Sequence, residues 1–320
     1  MISKAIRVRK DQISQMLDFL KSRGLLASGL RIKKEDDHAL IPVKEVPEGY
    51  EPLEEDFEQL SRRKSYMDLV NIPDELRVYL PRSMDIVGHV AIIKIDEKIL
   101  PYSSEIARAI MAFNKSIRTV ALDRGVRGEF RVRDLEVIGG DGLETVHREN
   151  GVRIYVDLKN VYFSPRLAKE RARVLSLVRD NEIIHDLFCG SGAFSILIGK
   201  KRNVKIYSVD KNPYAIEGLK RSMELNRITN IFPVLGDVRD VMGVLPHADR
   251  AILDLPMESV RFLGDVIHRA NYFHIYYKCD SPEDAVREIE SKGLIVDRYG
   301  LVHGYSPREG MYYFDARKGD

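Results

Sequence analysis

The spacing of apolar and polar residues changes along the chain, and each change predicts a different set of elements. In "DQISQMLDFLKSRGLL", Ile13, Met16, Leu17, Leu20 and Leu25 recur near helical spacing, and Gly24 offers a C-cap. "HALIPVKEV" then reads as a strand, so residues 1–45 predict a small α+β module. Residues 46–75, rich in Pro, Glu and Arg, read as a linker with some helix and a solvated, charge-alternating face. Within 76–160, "MDIVGHVAIIKI" predicts one buried strand and a helix follows near 103–114. "FRVRDLEVIGG" and "VRIYVDL" are extended runs separated by the turn-like "GGDG" and "ENG". This is a second α+β unit, in which His147 of "VHRENG" is expected as a solvent-facing turn residue.

From about residue 167 strands and helices alternate: "EIIHDLF", helix, "VKIYSVD", helix, "NIFPVLGDV", "RAILDL", helix, "YFHIYY". Such βαβ alternation predicts an α/β fold with a parallel, doubly wound sheet. "GLIVDRYGLVHGY" and "GMYYFDAR" add two last strands, expected as a hairpin on the sheet edge. The expected division is an N-terminal module with linker at 1–65, a middle domain at 66–160 and a catalytic domain at 161–320.

Composition narrows this picture modestly. The 320 residues are 44% hydrophobic and hold no apolar run long enough to span a membrane. "MISKAIRVRKDQ" lacks the apolar core of a signal peptide, so a cytoplasmic protein is expected. Two cysteines, Cys189 and Cys279, are too few for a disulfide scaffold or a zinc cluster. Abundant charge at 31%, with glutamine only at positions 12, 15 and 59, is in the direction of thermophile usage. Net charge is only +2, so nucleic-acid contact must come from local patches: "RIKK" at 31–34, "LSRRKSY" at 60–66 and, above all, "RGVRGEFRVR" at 124–133.

The chemistry is concentrated in "IIHDLFCGSGAFSI". A buried strand ends at Asp186, and Phe188, Gly190 and Gly192 form a strand-to-helix turn in which glycine lets a ligand approach the backbone. The next strand ends at Asp210–Lys211, suited to ribose hydroxyls, and a third at Asp237–Val238, suited to an exocyclic amine. Asp186 and Asp237 also read simply as caps of the following helices. "GSGAF" lacks the third glycine of a pyrophosphate cradle, which leaves a nucleoside cofactor without phosphates. Over residues 180–280 the pattern resembles the class I S-adenosylmethionine methyltransferases, which implies that cofactor.

Two further stretches narrow the resemblance. "VYFSPRLAKERARV" precedes the cofactor domain, and "ILDLPMESVRFL" follows its fourth strand, with Pro256 stiffening the turn after Asp254. Together with "MDIVGHVAII", "FRVRDLEV" and "HRENGVRIYVDL", they resemble the archaeal and eukaryotic tRNA (guanine-N1)-methyltransferases that modify G37. The resemblance implies a tRNA partner met at the anticodon loop, and at the elbow by an N-terminal docking domain, with a monomer as the default state. It implies Glu170 as the general base on guanine N1–H, or as an acceptor from the exocyclic amine. It also implies Arg131, with Arg133 as the alternative along the Arg-x-Arg pair, for charge developing on O6. Tyr162 and Arg166 would line the target pocket, Tyr162 by stacking. On a helix Arg166 and Glu170 would stand one above the other at i, i+4, which alone reads equally as a surface ion pair.

The chain departs from the family at Asp254, where asparagine is usual. An ionised aspartate only accepts hydrogen bonds, so Asp254 either accepts from guanine or shares the base role with Glu170. The alternatives are an aminocarboxypropyl transferase of the wyosine pathway, a noncatalytic tRNA-binding relative, and a methyltransferase of amide or exocyclic nitrogen. Intact "FSPRLAKER" opposes the first, the full set of strand-end acids the second, and Met257–Glu258 after the proline the third.

Overall fold

A computed structural model describes residues 1–59, 65–304 and 309–319. They form two compact units, Met1–Asp68 and Leu69–Asp320. In the first, β1 (Ile2–Arg9) lies between β3 (His38–Pro42) and β4 (Leu53–Asp56), with the short β2 (Lys33–Lys34) at the edge. Helix α1 (Ile13–Ser22) buries Leu20 against Ile6, Val8, Ile41 and Val43. Gly24 follows it at φ 68, with its N–H on the Lys21 carbonyl, as its position predicts. Of the expected basic patches here, Arg31 is paired with Glu58 and Lys33 with Glu55, while residues 60–64 of "LSRRKSY" lie outside the described residues.

In the second unit "MDIVGHVAIIKI" is not one strand. It makes a tight hairpin, β5 (Asp85–Val87) and β6 (Val90–Ile93), turning at Gly88. Gly88 sits at φ 55, and a Cβ there would lie 2.1 Å from the Thr145 hydroxyl, so only glycine fits. Helix α2 (Ser103–Phe113) crosses to β7 (Thr119–Arg127), which pairs with β8 (Val132–Gly139). A further strand, β9 (Glu144–Glu149), pairs with β10 (Val152–Asp157) and carries His147. His147 is thus a mostly buried strand residue rather than a solvent-facing turn: its Nδ1 accepts from the Gly88 N–H, and its ring meets Phe163.

The large sheet runs β13-β12-β11-β14-β15-β17-β16. Its parallel strands are β11 (Ile183–Asp186), β12 (Lys205–Asp210), β13 (Ile231–Leu235), β14 (Ala248–Leu253) and β15 (Ala270–Cys279). The antiparallel hairpin β16 (Leu294–Gly304) and β17 (Gly310–Lys318) closes one edge, as the pattern predicts. Connecting helices are α3 (Ala168–Leu177), α4 (Ala193–Lys201), α5 (Pro213–Asn226), α6 (Val238–Val241), α7 (Leu263–Val266) and α8 (Pro282–Glu290). Strand order reverses between β11 and β14, the switch point at which open α/β sheets bind ligands.

One core joins the small sheets to the large one: Val87, Val90 and Ala121 pack in the same cluster as Val152, Ile184, Ile196 and Leu197. The free side of β10 is covered by α5, whose Asn226 and Ser222 side chains accept from the Arg153 and Tyr155 N–H groups at 3.0 and 2.9 Å. A strand edge left open would invite further pairing, and these two side chains satisfy it. Among the described residues no helix is long and apolar enough to cross a membrane.

Candidate active site

A cavity of about 610 Å³ opens at the carboxyl ends of the central strands. The strand ends contribute Phe188, Gly190, Asp210, Lys211, Asp237 and Val238. Asp210 accepts from the Gly190 and Asn212 N–H groups, both at 2.8 Å, so the carboxylate and the glycine turn hold each other in place. Gly190 and Gly192 stand at φ 51 and 74, and a Cβ on Gly192 would lie 2.3 Å from Leu219 Cδ1. Gly192 therefore shapes the turn from behind and does not line the cavity.

Asp186 also lies beneath the lining. It is 1% exposed; its Oδ2 accepts from Ser195 Oγ at 2.6 Å, while Oδ1 has no hydrogen-bond partner among the described residues. Burial, with added repulsion from Asp254 and Asp210, pushes its pKa up to about 7. Asp237 is in the opposite state: the side chain of Arg239 grips it at 2.8 and 2.7 Å and holds its pKa down to about 2. It caps α6 by accepting from the Arg239 N–H, and it also lines the cavity.

The opposite wall comes from further away in the chain. Tyr162, Arg131, Arg133, Arg166, Asp254 and Pro256 all line the cavity. Arg166 does not pair with Glu170. A short 3-10 turn over Pro165–Leu167 sets it ahead of α3, where its Nε donates to Asp85 at 2.8 Å. Arg133 donates to the same Asp85 at 2.9 Å and lies over the Tyr162 ring, 5.5 Å from its centroid. Asp85 is thus the anchor of two pocket arginines. Arg131, at φ 49 in the β7–β8 turn, has no charged partner among the described residues, whereas Arg124 and Arg127 are paired with Glu136 and Asp134. The same turn reaches the cofactor end, where Lys211 donates to Glu129 at 2.5 Å.

Asp254 leaves β14 in a turn stitched by Ser259, whose hydroxyl accepts from the Leu255 N–H, and by the Lys278 N–H on the Pro256 carbonyl. Burial pushes Asp254 up to about 6, against the pull of Arg171 and with a contribution from Glu170. Glu170 itself is not among the lining groups. It sits behind them, its Oε2 accepting from Arg173 Nε at 2.8 Å and from the Tyr276 hydroxyl at 3.3 Å. Its Oε1 accepts no hydrogen bond among the described residues.

Comparison with known proteins decides the family. The TRM5/TYW2 methyltransferase domain matches residues 145–293, the TYW2 N-terminal domain 67–143 and the tRNA methyltransferase 5 N-terminal domain 5–51. The tRNA (guanine(37)-N(1))-methyltransferase Trm5b of Pyrococcus abyssi is 40% identical over 92% of this chain and 92% of its own. The chain belongs to the tRNA (guanine37-N1)-methyltransferase family. The crystal structure of Pyrococcus abyssi Trm5b superposes with a TM-score of 0.74 at 36% identity, covering 99% of this chain and 100% of that one. A solved complex of aTrm5 with tRNALeu superposes at 0.72 with 30% identity, covering 98% and 99%. The chain is accordingly an S-adenosylmethionine-dependent methyltransferase with a class I fold, and tRNA is its macromolecular partner.

The cavity fits the methyl donor on chemical grounds. Three acids, Asp186, Asp210 and Asp254, all have raised pKa values, first through burial. Such a cluster favours a cationic ligand, and S-adenosylmethionine carries a sulfonium and an ammonium. The orphaned Oδ1 of Asp186 is an acceptor in search of a donor. Asp85, Glu129 and Tyr276 had no signal in the sequence, since each acts through a partner distant along the chain, whereas Ser259 acts locally, on the Leu255 N–H four residues before it.

Proposed function

We propose that the protein transfers the methyl group of S-adenosylmethionine to N1 of guanosine 37 in tRNA, with Glu170 as the general base. The observation that carries this is the single cavity lined both by the strand-end acids and by Tyr162, Arg131 and Asp254. S-adenosylmethionine, held by Gly190, Asp210, Asp237 and Val238 with Asp186 beneath them, supplies an electrophilic methyl group. Guanine N1 carries a proton, so a base must take it as the N1 electron pair forms the new bond to carbon. Glu170 sits just behind the lining, and with both anchoring bonds on Oε2 its Oε1 is the oxygen left to take that proton. Asp254 faces the cavity as an acceptor for the exocyclic amine, a contact that reports guanine rather than adenine. Arg131, without a charged partner among the described residues, is the cation for charge on O6, with Arg133, held by Asp85, beneath Tyr162 as the platform on which the splayed base stacks.

The proposal extends to a division of labour. Residues 1–65 contact the tRNA elbow, 66–160 help hold the anticodon loop, and 161–320 carry out methyl transfer, in a cytoplasmic monomer. It is supported by the match of the tRNA methyltransferase 5 N-terminal domain to residues 5–51 and by the arginine-bearing β7–β8 turn at the cavity.

The test is methylation of transcripts bearing G37 or A37, with the product nucleoside identified by mass. Expected is 1-methylguanosine from G37 alone, with Glu170→Gln slowing turnover by about 10²-fold or more while S-adenosylmethionine binding stays intact. An aminocarboxypropyl adduct, or methyl on A37, would overturn the reading.

A further inference from the structure

Behind Glu170 runs a line of mostly buried polar side chains, none of which lines the cavity. Strand β15 contributes His274 and Tyr276, which share one face because strand side chains alternate. Opposite them on β17 stand Asp315 and Tyr313, in register as His274–Asp315 and Tyr276–Tyr313. Arg173 of α3 lies across this face with its guanidinium 3.8 Å from the Tyr313 ring centroid. Two of its nitrogens donate to Asp315, at 2.6 and 3.2 Å, and Nε donates to Glu170 at 2.8 Å.

The line continues away from the cavity. His274 Nδ1 lies 2.6 Å from Asp315 Oδ1, and Arg250 NH1 lies 2.8 Å from His274 Nε2. Arginine only donates, so Nε2 is the acceptor, which assigns the proton to Nδ1 and makes His274 a donor to Asp315. Arg250 is itself gripped by Glu182 at 2.9 Å through two nitrogens. Every link therefore has a fixed direction of donation, from Arg250 to His274 to Asp315, and from Arg173 to Asp315 and Glu170. Arg298 also donates to Asp315, at 2.7 Å. Arg298 is half exposed, but the rest of the network is mostly buried and its members are hydrogen-bonded, which removes the rotamer freedom that a long Arg and Glu would otherwise keep.

We propose that Arg173, Asp315 and His274 are positioning residues for methyl transfer: by anchoring Oε2 of Glu170 they hold Oε1 towards guanine N1. This rests on Glu170 being the base. Glu170 is faced by Arg173 from its own helix, Tyr276 from β15 and Asp254 from the turn after β14, and Asp315 of β17 acts on it through Arg173. Asp315 fixes the Arg173 guanidinium through two of its nitrogens, so removing the Asp315 charge frees Arg173, and with it Glu170, to leave this geometry.

The test compares His274→Leu, His274→Asn and Asp315→Asn with Glu170→Gln in the full-length protein. The readouts are kcat, KM for tRNA and for S-adenosylmethionine, and thermal stability. His274→Leu is expected to lower kcat about tenfold with both KM values within about twofold. His274→Asn keeps an N–H donor near the Nδ1 position and should restore most of the rate. Asp315→Asn should lower kcat by at least as much, again with both KM values within about twofold. Normal kcat in both His274→Leu and Asp315→Asn, with Glu170→Gln inactive, would overturn the positioning role alone. An active Glu170→Gln would instead remove the base reading, and the positioning role with it. Loss of folding in His274→Leu and Asp315→Asn, with His274→Asn no better, would reduce the network to a structural one and also overturn the proposal.

Discussion

The two walls of the cavity are built on different principles. The cofactor wall is local: Asp186, the Gly190–Gly192 turn and Ser195 lie within one strand–turn–helix, and Asp210 closes it by accepting from the Gly190 N–H. Its geometry follows from neighbouring parallel strands ending at the same level. The target wall is assembled at long range, with Asp85 of β5 holding Arg166 across 81 positions and Arg133 across 48. Backbone places the first wall, whereas long-range ion pairs place the second. Damage to a single charge should therefore disable the target wall while sparing the cofactor wall.

The sharpest way to break this contrast is at Arg171. Its Nε and NH2 donate to Glu149 at 2.5 and 2.6 Å, with the two side chains only 3% and 4% exposed. The pair ties α3, and so Glu170, to β9. Arg171→Met strands a buried carboxylate and should cost about 3–5 kcal/mol in denaturant unfolding. Adding Glu149→Met should recover much of that, because the penalty is mainly the unpaired charge. A cost below about 1 kcal/mol would show that packing, not this pair, holds the wall. Asp85→Asn is the gentler version. Two charged donors lose their common acceptor charge, so kcat/KM for tRNA should fall about 10–100-fold while the S-adenosylmethionine Kd stays within about twofold. Equal losses on both sides would mean that the walls are not separable.

The same contrast explains what could be read from the chain alone. The doubly wound sheet, its edge hairpin and the strand-end acids follow from local alternation, and the acids of a parallel sheet must gather at one end. "MDIVGHVAIIKI" misled because an apolar run does not show a hairpin turn; only the Thr145 hydroxyl pressed against Gly88 requires it. The i, i+4 pairing of Arg166 with Glu170 failed for a similar reason. Helical spacing offers a weak surface pair, of about 0.2–0.5 kcal/mol, and a mostly buried carboxylate 81 positions away outcompetes it. His147 likewise lies in a strand whose short length hid it between two turns. Arg131 and Arg133 are adjacent in pattern but differ in fate, since β8 turns one inward to Asp85 and the hairpin leaves the other free.

The smallest expected effect tests the cofactor wall through its protons. In the free protein, burial, then the charges of Asp254 and Asp210, hold Asp186 up to about 7. A cationic ligand favours the ionised form, so the pKa of Asp186 falls on binding. Below pH 7 binding must then release a proton, and affinity weakens as pH falls; above it affinity levels off. From pH 8 to pH 6 the S-adenosylmethionine Kd, measured by calorimetry, should weaken about tenfold, equivalent to about 1.4 kcal/mol. Asp210, also raised by burial, and Asp254, at about 6, act with the same sign and steepen the fall at the acid end. Asp186→Asn should weaken binding at pH 8 and flatten the slope near neutrality. S-adenosylhomocysteine separates the two cationic groups, because it keeps the ammonium and lacks the sulfonium charge. An equal slope for both ligands assigns the released proton to the ammonium contact, and a flat line for S-adenosylhomocysteine assigns it to the sulfonium. A Kd independent of pH for both would show that the acids do not sense ligand charge, leaving the cofactor wall a scaffold of shape alone.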